Sequence, residues 1–380
     1  MNFELSDDQR AFQTLAQDFA ASEMAPHAAR WDEDCEFPVE TLRQAAALGF
    51  GAIFVADDVG GSNLGRVDGA VIFEALSSAC PSTAAFLSIH NMAALMIDRY
   101  GSPDQRRRWL PALATMDKFA SYCLTEPGAG SDAASLTTKA VRDGDDYVIN
   151  GTKAFISGAS RSDLYVCMVR TGGDGPKGIS CMVVEDGTPG LGFGAQEKKL
   201  GWHSQPTAMV NFDDCRVPAA NRLGQEGGGI EHMMRNLEIE RLCLAAMSLG
   251  IADRCLDEMT SYASERHAFG RPIAEFGQIQ KYIGEAFAET EAARCLIYHE
   301  ASKGGADGRN RLGTDAAKLF AAPVAKRVAD AAVQVMGGYG YSSEYKVERF
   351  LRDAKLNEIG GGTLESHQKN ISQDILKGRG

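Results

Sequence analysis

The sequence predicts an α+β protein in three parts, in the order helices, β domain, helices. Three observations carry that reading. Apolar residues recur at helical spacing from Ser6 to about Met116, and short β-rich runs broken by turn clusters fill Ser121 to Leu223. Long helical segments then return from about Gly229. The domains expected are a helical one over 1–118, an antiparallel β domain over 119–224 and a helical one over 225–380.

The first helix is announced by Ser6 ahead of Asp7-Asp8-Gln9, an N-cap followed by acids in the first turn. Leu5, Phe12, Leu15, Phe19 and Met24 supply its apolar face, and residues 71–78 and 104–113 read in the same way. In the middle part, the runs 147–149, 164–169, 179–184 and 208–212 predict strands. Gly144-Asp145, Asn150-Gly151, residues 172–176 and Pro189-Gly190 predict the turns between them, giving a compact antiparallel domain of barrel type. Residues 230–266, 278–303 and 314–336 predict long helices. A glycine-rich loop, Gly337-Gly338-Tyr339-Gly340, follows, and a last helix precedes Gly360-Gly361-Gly362-Thr363.

Composition narrows the function. A chain of 380 residues, 44% hydrophobic and 24% charged, buries a large core without disulfide or metal staples. Its 39 Lys+Arg against 51 Asp+Glu give −12, which repels a phosphate backbone and disfavours nucleic acid, though not a small phosphorylated ligand. Nine scattered cysteines without a C-x-x-C read as reduced thiols. No apolar run approaches the ~18–20 residues of a membrane span, and Met1-Asn2-Phe3-Glu4-Leu5-Ser6 lacks a leader pattern. The expectation is a soluble protein with no integral membrane association, cytoplasmic, or of the mitochondrial matrix if a transit peptide has been removed. H-E-x-x-H, G-x-S-x-G, Walker and strand-borne G-x-G-x-x-G motifs are all missing, and seven histidines lack ligand spacing, so no metal is expected.

One carboxylate stands out. Read as a helix, Met233, Leu237, Glu240, Leu244 and Met247 fall on one stripe, so Glu240 is its lone acid, with no cation three or four residues away. Two readings stay open: an interface acid paired with a distant cation, or a general base whose pKa burial raises towards neutrality. Glu238 lies about 200° round the helix from it and has Arg235 and Arg241 nearby, which reads as solvated ion pairing. Gly128-Ala129-Gly130-Ser131-Asp132 is either a tight loop entering the β domain or a backbone nest for an anion or a ring edge.

Taken together and in this order, several segments resemble the acyl-CoA dehydrogenase family over essentially the whole chain. They are Tyr122-Cys123-Leu124-Thr125-Glu126-Pro127-Gly128-Ala129-Gly130-Ser131-Asp132 and Ile149-Asn150-Gly151-Thr152-Lys153-Ala154-Phe155-Ile156-Ser157. Further on come Arg266-x-x-Phe269-Gly270, Gln334-x-x-Gly337-Gly338-x-Gly340-Tyr341 and Arg352-Asp353. Gly175-Pro176-Lys177-Gly178-Ile179-Ser180-Cys181 and Gly201-Trp202-His203-Ser204-Gln205-Pro206-Thr207 look most like the isobutyryl-CoA branch. The resemblance implies a C-terminal four-helix bundle, a homotetramer, FAD between the domains, an acyl-CoA substrate and electron-transfer flavoprotein as oxidant. Tyr122, Leu124, Thr125, Gly130 and Ser131 match flavin-ring contacts, and Phe155 and Ser157 the aromatic and hydroxyl beside the isoalloxazine. Arg266, Phe269, Gln334, Gly337 and Gly338 match residues reaching a neighbouring subunit's FAD. Thr363 and Glu365 match contacts to the adenosine diphosphate part. Ser131, Glu238, Arg241 and Gly361 fall where the family meets its substrate.

Two departures matter. Most of the family carries its base as the Glu of a late Glu-Gly-Thr motif, and here that position is Gly361. Isovaleryl-type and long-chain-type members carry it on the earlier helix, where Glu240 matches. Gly277 stands where a Gln usually meets the neighbouring FAD, with Gln278 beside it. The implied reaction is α,β-desaturation of a short or branched acyl-CoA. Glu240 would take the α-proton and flavin N5 the β-hydride, with the thioester carbonyl held by a ribityl hydroxyl and a backbone N–H near Gly361. Competing readings are an acyl-CoA oxidase, reductase or lyase, and a non-catalytic DNA-binding relative.

Overall fold

The structure, a computed structural model, describes residues 4–303 and 309–378, so Met1, Asn2 and Phe3 of the expected start lie outside it. Helix α1 (Asp7–Phe19) begins at a capping box: the Ser6 hydroxyl accepts from Gln9 N–H at 3.2 Å, and the Gln9 side chain accepts from Ser6 N–H at 2.9 Å. It runs on through a π-helical turn, Ala20–Met24. Of its expected apolar face, Phe19 and Met24 are buried and Phe12 is half-buried, but Leu15 is exposed. Ala16 takes the inward position instead: Phe12, Ala16 and Phe19 share steps of four and three, and Leu15 falls to one side of that line, about 100° round the helix from Ala16. Helices α2 (Ala28–Glu33), α3 (Val39–Ala47), α4 (Arg66–Ser77), α5 (Pro81–Tyr100) and α6 (Pro103–Ala114) follow. Helices α4 and α5 are buried nearly all round, so their sequences show little periodicity.

The middle part forms one sheet. Its strands are β1 (Ala120–Cys123), β2 (Lys139–Asp143), β3 (Asp146–Ser157), β4 (Leu164–Arg170), β5 (Ile179–Glu185), β6 (Leu191–Phe193), β7 (Thr207–Pro218) and β8 (Arg222–Leu223). The order is β6-β7-β3-β2-β4-β5-β8, with β1 added on β4. All four expected runs are strands, and most neighbours are antiparallel. Strands β1 and β2 instead run parallel to β4, since β1 arrives from α6 rather than from a hairpin and pairs Ala120 with the distant Leu164. The path is open and not a closed ring. Alternate residues of β4 serve two cores: Leu164, Val166 and Met168 pack with α5 and α6, while Tyr165, Cys167 and Val169 pack against β3 and β7. That is why β4 reads as a continuous apolar run.

The C-terminal part packs α7 (Gly229–Glu265), α8 (Gly277–Ser302), α9 (Arg311–Met336) and α10 (Val347–Asn357) into a bundle, and α11 (Leu364–Leu376) lies on α9. Helix α7 meets α4 backbone to backbone at Gly250, where a Cβ would stand 2.0 Å from the Glu74 carbonyl oxygen, and Ser77 donates to Met247 O at 2.9 Å. One apolar core includes Phe73, Leu76 and Phe86 together with Leu242, Leu244, Met247 and Ile297, so both helical parts share an interior. The sheet is tied in where Trp202 N–H donates to Asp353 at 2.6 Å, and Arg352 of α10 pairs with Asp32 of α2 at 2.6 Å, joining the two helical parts. Among the described residues no helix is long and apolar enough to cross a membrane, and no cluster has the makings of a metal site.

Candidate active site

Glu240 sits about three turns into α7, 6% exposed, between buried Met233, Leu244 and Met247. Its Oε2 accepts a 2.7 Å hydrogen bond from Ser88 of α5. Burial pushes its carboxyl up to about 7, against the opposing pull of that hydroxyl and of the Lys318 ammonium on α9. The lone acid of the stripe is thus a buried carboxylate poised near neutrality.

The glycine segment is pinned from the same side. Arg241 Nε donates to Gly361 O at 3.3 Å, and the guanidinium pairs with the buried Asp315 of α9 at 2.7 Å. Lys318 donates to Gly362 O, which also lies 3.0 Å from His367 Nε2, and the Nδ1 of that ring is 3.0 Å from Asp315. Gly361 and Gly362 hold φ of +64° and +112°, and a Cβ on Gly361 would stand 2.5 Å from Leu244 Cδ1. Gly361→Ala is therefore expected to cost roughly 1–2 kcal/mol of local strain, lowering the melting temperature and slowing turnover together. An unchanged melting curve would remove the strain argument.

The Glu238 expectation needs correction. Its carboxylate is buried, and its partners are Arg309 at 3.4 Å and the Asn310 N–H at 3.0 Å, from the start of α9. Arg235 pairs with Glu231 and Arg241 with Asp315, so neither solvated pair forms. Glu238 faces the turn before α9 because that chain packs over the far side of α7.

A second group of residues meets at the sheet. Lys153 of β3 is wholly buried and pairs at 2.8 Å with Glu126, whose carboxylate also accepts from Thr137 and Thr138 N–H at 2.6 and 3.0 Å. Burial disfavours the Glu126 charge, but Lys153 and these donors outweigh it and bring the pKa down to about 2. The pair, with Ala154 N–H donating to Thr125 O at 2.8 Å, clamps Leu124 and Thr125 beside Phe155 and Ser157. Phe155 takes a positive φ and is 66% exposed despite its apolar ring. The Tyr122 hydroxyl is buried without a protein partner, and open space lies where a Cβ would stand on Gly128 or Gly130. Ser131 is exposed at the edge of this loop. A flat ring with polar edges suits such a surface.

Further out, Arg266 and the pair Gly337-Gly338 line one hollow of about 590 Å³ with Tyr262 and Tyr339. Gly337 also caps α9, and Gln334 is exposed one turn earlier. Phe269 is 97% exposed, thrown out at the tip of a two-stranded hairpin where it and Gly270 both have positive φ. Gly277 and Gln278 open α8 and are exposed. Thr363 caps α11, accepting from Ser366 N–H, and Glu365 stands exposed in its first turn.

Family models match the chain nearly end to end: acyl-CoA dehydrogenase N-terminal domain over 6–117, middle domain over 121–215 and C-terminal domain over 227–376. The chain belongs to the acyl-CoA dehydrogenase family. It is 49% identical to the mitochondrial isobutyryl-CoA dehydrogenase of Bos taurus, over 98% of this chain and 90% of that one. Identity to the Dictyostelium discoideum isobutyryl-CoA dehydrogenase is 47%, again over 98% and 90%. Its fold superposes on butyryl-CoA dehydrogenase from Megasphaera elsdenii with a TM-score of 0.96 at 34% identity, covering 99% of this chain and 100% of that one. The protein is accordingly an oxidoreductase acting on CH–CH bonds, and members of the acyl-CoA dehydrogenase family are FAD-dependent.

Four residues of the candidate site around Glu240 and its glycine loop escaped the sequence reading: Ser88, Asp315, Lys318 and His367. Asp315 and Lys318 carried a signal, since they stand three apart as charges on an alanine-rich helix face. Ser88 carried none.

Proposed function

We propose that the chain catalyses α,β-dehydrogenation of a short or branched-chain acyl-CoA, with Glu240 as the base that takes the α-proton. One observation carries the reading: a carboxylate buried on an apolar stripe and held by Ser88, one turn from the Leu244 that meets Gly361, in a chain whose position 361 has no carboxylate. A base matched to neutral pH is the effective one. The isobutyryl- and butyryl-CoA dehydrogenases among its relatives support the short or branched acyl chain.

Bound FAD would supply the hydride acceptor, N5, for the β-hydrogen. Tyr122, Leu124, Thr125, Gly130, Ser131, Phe155 and Ser157 would hold its ring, with Thr363 and Glu365 near the adenosine diphosphate part. The rest falls to the chain. The Gly361 N–H binds the thioester carbonyl and stabilises the charge that develops there, which acidifies the α-hydrogen. Glu240 receives that proton on its carboxylate, in a setting where burial excludes water. Ser131 and Arg241 border the substrate, Arg241 by holding the loop through Gly361 O, whereas Glu238 is taken up by Arg309 and Asn310 N–H on the far side of α7. Arg266, Phe269, Gln334, Gly337 and Gly338 would reach a neighbouring subunit's FAD in the homotetramer that the family resemblance implies, with electron-transfer flavoprotein as its oxidant.

The test is anaerobic bleaching of the flavin by isobutyryl-, isovaleryl-, 2-methylbutyryl-, butyryl- and longer acyl-CoAs. Short or branched thioesters are expected to bleach fastest, and failure of all of them overturns the reading. The bleaching rate should rise with pH up to about 7, because only the ionised Glu240 accepts a proton, and should fall roughly tenfold per unit below it. A flat profile from pH 5.5 to 8 would remove Glu240 from the role.

A further inference from the structure

The base does not stand alone in its pocket. Ser88 lies mid-helix in α5, 2% exposed, where a serine hydroxyl ordinarily turns back to a carbonyl of its own helix. Here it crosses instead to Glu240 Oε2, at 2.7 Å, joining residues 152 apart in sequence. Lys318, with no exposed surface at all, lies behind the glycine loop, fixed by Gly362 O, and its Cε is 3.9 Å from where a Gly361 Cβ would stand. We propose that Ser88 is a positioning residue for Glu240: it occupies Oε2 so that the α-proton is received at Oε1. The inference rests on Glu240 being the base.

The surroundings leave few other groups to do this. On α7 itself, Cys243 faces Glu240, and burial beside that carboxylate holds the thiol far up, hence neutral. Arg241 is committed to Asp315 and Gly361 O, and His367 to Asp315 and Gly362 O. On α4, Glu74 is taken up by Arg294 and Tyr298 of α8, while on α8 Glu300 pairs with Lys303. Lys318 itself is pulled down to about 7 by burial and by Arg241, against Asp315 and Glu240, so its charge and that of Glu240 sustain one another.

The experiment uses the FAD-loaded enzyme. Infrared difference spectra titrate the Glu240 carboxylic-acid band, with Glu240→Gln as the blank, and anaerobic bleaching by isobutyryl-CoA gives the pH profile of the proton-transfer step. Ser88→Ala is expected to move both titrations to higher pH and to lower the bleaching rate at pH 6 by about tenfold, the value of one hydrogen bond to a charged group. Substrate affinity should hold, and Ser88→Thr should restore both. An infrared titration that Ser88→Ala does not move overturns the proposal. If Glu240→Gln itself turned over normally, the base assignment would fall, yet the infrared shift would still report whether Ser88 governs that carboxyl.

Discussion

Glu240→Gln is expected to bind FAD and acyl-CoA normally and to lose roughly 10²–10⁴-fold in the rate of flavin reduction, the usual contribution of a positioned base. The amide fits the same space and can still accept from Ser88, but it cannot take a proton. The same change should stabilise the fold. Burial raises Glu240 from the usual carboxylate range to about 7, so the folded state binds more protons than the unfolded chain between those values. Stability therefore falls as pH rises through that window, by about 3 kcal/mol in total. The wild-type apoprotein should melt below Glu240→Gln at pH 8 and match it near pH 4.5. Equal melting at both pH values, or near-normal turnover, would end the assignment. As the proposed base, Glu240 carries that instability because a carboxyl tuned by burial cannot also be well solvated.

Lys153→Met should cost about 3–5 kcal/mol, since it leaves the Glu126 carboxylate buried without its cation. FAD retention should fall with it, because the pair clamps Leu124 and Thr125 against Phe155 and Ser157. The pH response has a definite sign. In the wild type Glu126 is held down at about 2, so its stabilisation is fully present above its unfolded pKa near 4.3 and fades as pH falls towards 2. In Lys153→Met that carboxyl must rise, and the variant should lose less than the wild type on acidification. Adding Glu126→Gln should recover much of the loss, as replacing both partners of a buried pair usually does. A double variant no better than Lys153→Met would show that the clamp works through packing rather than charge.

Much of the fold was legible because secondary structure is written in near neighbours. The Ser6 capping box needs only residues 6 to 9, and strands β4 and β5 appear as apolar runs bounded by turns. Pairing direction was less legible: the parallel arrangement of β1 and β4 depends on how α6 delivers the chain. At the site, Glu240 could be singled out because an acid on an apolar stripe breaks a local rule. Glu238 could not be placed, since the Arg309 that meets it is 71 residues away and closer cations were on offer.

The sequence alone determined the three-part order of helices and strands, the isolation of Glu240 among apolar neighbours and the missing carboxylate at position 361. Each is a property of spacing along one segment. Only the tertiary structure decided that Ser88, Lys318, Arg241 and Asp315 converge on that acid and its glycine loop, and that Lys153 rather than a glycine motif holds the Tyr122–Ser131 segment. Those meetings depend on which faces of distant helices and strands pack together, and burial then turns each into a shifted pKa or a fixed charge.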